Sequence, residues 1–268
     1  MNHAAKGLVQ CTGIGVVFGS GDAQTEAVKD VSITVRPHEF VSLIGPSGCG
    51  KSSLLGIVAG FTKPSRGSAT LDGVPIQKPG AERGVVFQQY SLFPWLRVRE
   101  NVEFGLKMAG VPRTRRESTA RTLLGLAGLL AFEHHYPDQL SGGMRQRIGI
   151  VRALAASPRV LLMDEPFGAL DALTRGRMQN ELQRIWEHEK ITMLLVTHDV
   201  DEALYLGDRV VTMAPRPGRV ERVLEVDLPR PRRRQNPRFA ELRDTLLSDF
   251  AGHDTEPAPD TLTETIAA

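Results

Sequence analysis

The chain has 268 residues, 41% of them hydrophobic and 24% charged, the balance of a globular protein that can bury a sizeable core as one large domain or two modest ones. Basic and acidic residues nearly cancel, 33 against 31 for a net charge of +2, which removes any general electrostatic case for nucleic-acid binding. No run approaches the roughly 18 consecutive apolar residues of a membrane helix, and residues 1–10 lack a secretory pattern, so a cytosolic setting without a membrane span is expected.

In chain order, apolar runs rich in β-branched residues alternate with helical patterns, which predicts an α/β architecture. Val31, Ile33 and Val35 alternate as a half-buried strand should. Residues 39–44 read as a strand entering a glycine-rich turn, and 51–59 as a helix closed by Gly60. From 92 to 157 the pattern is helical, over 100–109, 116–130 and 144–156, which predicts a helical subdomain inserted into the α/β core. Residues 160–163 and 192–196 are short continuous apolar runs, the mark of parallel strands buried on both faces. After Val226 the chain becomes Pro/Arg-rich. Arg230, Arg232, Arg233, Arg234 and Arg238 read as a solvated basic loop, with attraction to an anionic membrane surface as the second reading. Phe239, Leu242, Leu246 and Phe250 then form an apolar stripe at helical spacing, as in a helix docked on a core. Residues 252–268 have the composition of a disordered tail. The domain limits expected are 8–226 for the main domain and 227–251 for the C-terminal segment and helix.

Gly45-Pro46-Ser47-Gly48-Cys49-Gly50-Lys51-Ser52 matches the phosphate-binding pattern G-x-x-x-x-G-K-[ST], with a predicted strand before it and a helix after it. The glycines let backbone N–H groups approach a polyphosphate, and the helix start adds its positive end. Lys51 is expected to reach the β- and γ-phosphates and the Ser52 hydroxyl to ligate Mg²⁺, with Ser53 next on the same helix start. Residues 160–165 form an apolar strand ending in two carboxylates. Asp164 is expected at the Mg²⁺ and Glu165 at the attacking water. Leu140-Ser141-Gly142-Gly143 opens a further helix, where Ser141 is either a plain N-cap or part of a second anion site. The two cysteines, Cys11 and Cys49, suggest neither a disulfide framework nor a zinc site. Cys49, at a helix start beside Lys51, is expected to be a reactive thiol of lowered pKa.

Taken with the phosphate loop, residues 140–147 resemble the signature sequence of the ABC-type ATPases. Other family marks follow in order: Gln88 in Val86-Phe87-Gln88, Ala169-Leu170-Asp171 after the acidic pair, and His198 in Val196-Thr197-His198-Asp199. Residues 80–88, 92–95, 164–171 and 217–220 are similar to the branch that imports nitrate, sulfonates and taurine. The resemblance implies a P-loop ATPase core with a mixed sheet, an N-terminal antiparallel β portion and an inserted helical subdomain.

It also implies roles. Gln88 would touch Mg²⁺ and the water, and His198 the γ-phosphate. Ser141, Gly142 and Gly143 would bind the ATP held by the other subunit of a homodimer, with Asp171 at the dimer seam. Phe18 would stack on adenine or else pack in the core. Residues 92–95 are either core or a groove for a helix of an integral membrane permease, with Trp95 expected partly buried and Phe93 the contact. An extracytoplasmic solute-binding protein would be an indirect partner, and the chain would sit at the cytoplasmic face of the cell (inner) membrane. The rival is an ABC-type ATPase acting on nucleic acid or ribosomes. Such proteins usually carry a second cassette, coiled coils or zinc CxxC pairs, and none appears in this sequence.

Overall fold

The computed structural model describes residues 6–19, 24–88 and 91–251. Its centre is a six-stranded sheet of order β10-β9-β3-β8-β7-β6, formed by β3 (Phe40–Ile44), β6 (Arg83–Val86), β7 (Val160–Asp164), β8 (Thr192–Thr197), β9 (Arg209–Ala214) and β10 (Arg219–Glu225). All neighbours pair in parallel except β9 and β10. A second, antiparallel sheet of order β2-β1-β4-β5 joins β1 (Val9–Phe18), β2 (Thr25–Val35), β4 (Arg66–Leu71) and β5 (Val74–Pro75). The expected mixed core and antiparallel N-terminal portion are both present.

The unbroken apolar runs have a simple cause. Successive strand residues point to opposite faces, and here both faces are covered. Phe40 and Ile44 of β3, Leu161 and Met163 of β7, and Met193 and Leu195 of β8 enter one core cluster. Their neighbours Val41, Leu43, Val160, Leu162, Leu194 and Val196 enter the other, beneath the antiparallel sheet and α1 (Lys51–Ala59). In β2 only one face is covered, so Val31, Ile33 and Val35 are buried while Ser32 and Thr34 are exposed.

Between β6 and β7 the described chain is helical: α2 (Val98–Met108), α3 (Arg113–Leu126) and α4 (Gly142–Ala155), with two short 3₁₀ turns. These helices share an apolar cluster centred on Val98, Val102, Leu124, Leu129 and Ile148, while Ile150, Ala153 and Leu154 of α4 enter the main core. After β7 come α5 (Ala172–Glu189), α6 (Val200–Leu206) and α7 (Pro237–Ala251). Phe239, Leu242 and Leu246 of α7 are buried in the main core, and Phe250 packs against it, as the stripe predicted. The tail expected to be disordered, residues 252–268, lies outside the described residues.

The arginine-rich segment is only in part the solvated loop expected: Arg233, Arg234 and Arg238 are exposed, but Arg230 and Arg232 are not. Arg232 is only 5% exposed, and its guanidinium donates to the carbonyls of Leu204 (2.7 Å) and Tyr205 (3.3 Å) at the end of α6, and to that of Gly207. Burial pulls its pKa down to about 10. Arg230 lies 4.3 Å over the Trp186 ring and pairs with Asp208 at 2.8 Å. Arg234 lies 4.1 Å over the Tyr205 ring. The last carbonyls of a helix need donors, and aromatic faces attract guanidinium groups. Of the five, Arg233, Arg234 and Arg238 are exposed, and Arg238 pairs with Asp227 at 3.2 Å. Four of the five arginines, Arg230, Arg232, Arg234 and Arg238, have partners within the protein.

Docking of α7 makes a stability prediction. Phe239→Ala should cost about 3–5 kcal/mol in urea unfolding, whereas Leu247→Ala, on the exposed side of the same helix, should stay within about 0.5 kcal/mol.

Candidate functional site

Strand β3 ends at Ile44, and residues 45–50 turn directly into α1. Gly50 sits at φ 88° as the residue before the helix, a left-handed conformation that favours glycine. A Cβ there would lie 2.3 Å from Val28 Cγ2, so the close approach also forbids a side chain. No side chain caps the start of α1, which leaves its first N–H groups free for an anion. The Lys51 ammonium is buried within this loop, donating to Gly45 O at 2.7 Å and Pro46 O at 2.8 Å.

Beside it, β7 ends in Asp164, whose carboxylate accepts a hydrogen bond from the Ser52 hydroxyl. Burial pushes the Asp164 carboxyl up, and the Ser52 bond opposes that shift. Glu165 follows at φ 45°. That conformation is uncommon for a residue with a side chain and is concentrated at functional sites. Its backbone N–H donates to Val196 O at 2.9 Å, which fixes the turn against β8. Its carboxylate is held from both sides: Gln88 Nε2 donates to one oxygen at 3.1 Å, and His198 Nδ1 lies 3.1 Å from the other. Gln88, Glu165 and His198 come from the ends of three different strands. The sequence named each of them separately; that Glu165 joins the other two became visible only in the fold.

The remaining expected residues fall elsewhere. Ser141 is the N-cap of α4, accepting from Met144 N at 3.3 Å, and Gly143 faces Leu170. Neither contact leads to the phosphate loop of the same chain. Asp171 caps α5 by accepting from Thr174 N at 3.0 Å, and the hydrogen bonds from Thr174 hold its carboxyl below the usual range. Phe18 ends β1 and is 51% exposed, so the core alternative is excluded. Cys49 corrects the sequence reading. It is 0% exposed, and burial pushes its thiol up despite the nearby Lys51 ammonium. Desolvation of a thiolate outweighs a favourable charge when the sulfur has no access to water.

A family model described as ABC transporter matches residues 28–168. The chain belongs to the ABC transporter family. It is similar to the taurine import ATP-binding protein TauB of Pseudomonas putida, 53% identical over 205 residues, 76% of this chain and 78% of that protein. It is also 49% identical over 232 residues to an uncharacterized ABC transporter ATP-binding protein of Methanocaldococcus jannaschii, covering 87% of each. Among solved structures, an ATP-binding cassette in a dimeric post-hydrolysis state bound to ADP and Pi superposes with a TM-score of 0.75. That cassette is 33% identical, and the match covers 81% of this chain and 98% of that one. The chain is therefore an ABC-type ATPase.

The ABC ATPase also exposes an aromatic surface next to Gln88. Phe61 and Phe87 stack at 5.6 Å, and both are exposed. Nothing in the sequence pairs them, since they are brought together from the end of α1 and the end of β6. Phe93 is half-buried, packed 4.4 Å from Phe104 and 5.6 Å from Trp95, with Arg152 over its ring at 5.4 Å. Buried Asn101 pins this turn through Phe93 N (2.9 Å), Phe93 O (3.1 Å) and Leu96 O (2.9 Å). Trp95 is 70% exposed, so the expected roles are reversed: Phe93 supports the turn, and Trp95 projects from it.

The buried thiols yield a direct check. Because burial raises both cysteine pKa values, Cys11 to about 12, thiolate is scarcer than in a free cysteine at any pH below those values. Alkylation of native protein near pH 8 should add no label by mass spectrometry, and alkylation in denaturant should add one at each cysteine. Fast labelling of Cys49 in the native state would contradict the packing.

Proposed function

We propose that this ATPase is the energy-supplying subunit of a membrane import complex for a small anion such as taurine, another sulfonate or nitrate. It would act as a homodimer at the cytoplasmic face of the cell (inner) membrane, on permease subunits fed by an extracytoplasmic solute-binding protein. The observation that carries the reading is the Glu165 carboxylate, braced by Gln88 and His198 beside the Ser52–Asp164 pair. The identity to taurine import ATP-binding proteins supports the cargo class.

The phosphate loop, residues 45–53, binds the triphosphate through backbone N–H groups, and Lys51 turns from its carbonyl partners to the phosphate oxygens. Glu165 takes the proton of the attacking water. His198 holds Glu165 and faces the γ-phosphate, while Gln88 links that carboxylate to the helices after β6. Phe18 offers an exposed ring to adenine. Ser141, Gly142 and Gly143 serve the ATP of the second subunit, with Asp171 at the seam.

The residues present fit Mg²⁺. Ser52, Asp164 and Gln88 offer hard oxygen donors. Among the described residues there is no cluster of three or more acidic or His/Cys ligands, which suits an ion that keeps water and phosphate oxygens in its shell. When bound, Mg²⁺ neutralises charge on the β- and γ-phosphate oxygens; the three side chains would hold it.

Dimer closure would move the helices between β6 and β7, and the aromatic surface beside Gln88 would pass that motion to the permease. No helix among the described residues is long and apolar enough to cross a membrane. The nucleic-acid reading gains no support, because the relatives named are import and transporter ATP-binding proteins and basic and acidic residues nearly cancel.

Two variants test this. Glu165→Gln should bind ATP normally, lose turnover by roughly 10²–10⁴-fold, and accumulate an ATP-bound dimer on size-exclusion chromatography. Near-normal turnover would remove Glu165 from its role. Trp95→Ala should leave the melting temperature within about 1 °C, since an exposed side chain contributes little to stability, while weakening co-purification with the permease. Unchanged assembly would remove this surface from the coupling path.

A further inference from the structure

The turn that carries His198 is held by a chain of buried polar groups that the hydrolytic reading does not use. The Thr197 hydroxyl donates to Glu202 Oε2 and accepts from Asp199 N at 3.1 Å. Glu202 N in turn donates to Asp199 Oδ1 at 3.0 Å, capping α6. The second carboxyl oxygen, Glu202 Oε1, accepts from Gln179 Nε2 at 3.2 Å. Glu202 and Gln179 are both buried, so the Thr197–Glu202 and Gln179–Glu202 bonds are made away from competing water, and loss of either partner would leave an unsatisfied polar atom. Burial also pushes the Glu202 carboxyl up, which makes its donors matter more.

The chain does not stop at Gln179. Its amide oxygen accepts from Arg234 Nη2 at 2.6 Å, and the Arg234 guanidinium is steadied on the Tyr205 ring at 4.1 Å. An amide has one acceptor side and one donor side. A cation on the oxygen therefore fixes the N–H₂ toward Glu202 and forbids the flipped state. At the other end, Glu165, Thr197, His198, Asp199 and Glu202 line one cavity of about 80 Å³. The relay thus ends against the carboxylate that His198 approaches at 3.1 Å.

We infer that Arg234, in the segment before α7, is a positioning residue for ATP hydrolysis: through Gln179, Glu202 and Thr197 it holds the turn that presents His198 to Glu165. This rests on the proposed roles of Glu165 and His198. It assigns the arginine-rich segment a part in setting turnover, beyond docking a helix.

Arg234 is itself exposed, so its replacement does not hollow the core. Arg230, in the same segment, stacks on Trp186 and pairs with Asp208 without touching the relay, and is the matched control. On the purified full chain, Arg234→Ala should lower kcat about tenfold with KM for ATP nearly unchanged, and Arg234→Lys, which restores one donor, should recover most of it. Arg230→Ala should lower the melting temperature but leave kcat near the parent value. In a His198→Ala background, Arg234→Ala should cause no further loss, since residues acting through one group are not additive.

Wild-type kcat in Arg234→Ala, an equal loss in Arg230→Ala, or full additivity with His198→Ala would each overturn the relay. If His198→Ala itself turns over normally, the reading of the hydrolytic centre fails and the relay falls with it. A dead His198→Ala beside a fully active Arg234→Ala removes the relay alone.

Discussion

The register of the parallel strands is the constraint on which the site depends. Ile44 stands opposite Thr197, Val196 opposite Asp164, and Val86 opposite Met163. Parallel strands that end together deliver their following loops to one edge of the sheet. The phosphate loop, the Asp164-Glu165 pair, the His198 turn and Gln88 therefore arrive at one place from residues far apart in sequence. A one-residue slip would turn every buried side chain of a strand toward the wrong core. The interleaved clusters on the two faces hold the register, and so hold the chemistry.

Much of this could be read in the residues, because three of its signals are local. Continuous apolar runs named β7 and β8, the G-x-x-x-x-G-K-[ST] spacing named the loop, and the 239/242/246/250 stripe named α7. What could not be read depends on neighbours supplied by folding. Cys49 has Lys51 two residues away, yet the sulfur is sealed from water, and desolvation decides its pKa. Whether Phe93 or Trp95 is buried is decided by Asn101 and Phe104, which lie on α2. The partners of Arg230, Arg232 and Arg234 could not be read, because the open carbonyls of α6 and the faces of Trp186 and Tyr205 are invisible in their own segment. Glu165 was legible as a carboxylate after a strand; its two partners and its left-handed backbone were not.

Equally informative is what the single chain leaves open. The loop at residues 141–143 caps its own helix and lies by Leu170, away from the phosphate loop. Leu173, two residues past Asp171, is 80% exposed, an apolar side chain on the face proposed as the dimer seam. The helices between β6 and β7 share a cluster of their own, and α4 also joins the main core through Ile150, Ala153 and Leu154, so α4 is the contact between that unit and the sheet. Gln88, bonded to Glu165, lies between β6 and α2 in the chain, which is the basis for proposing it as the link.

A site shared between two copies is tested most directly by complementation. Lys51→Ala disables the phosphate loop, Ser141→Arg blocks the signature loop, and each homodimer should hydrolyse almost no ATP. A mixed dimer contains one site with the intact loop of the Ser141→Arg chain facing the intact signature of the Lys51→Ala chain. Mixing the two purified variants should therefore restore measurable hydrolysis. A mixture as inactive as either parent, or a Ser141→Arg variant that is fully active alone, would contradict the shared site.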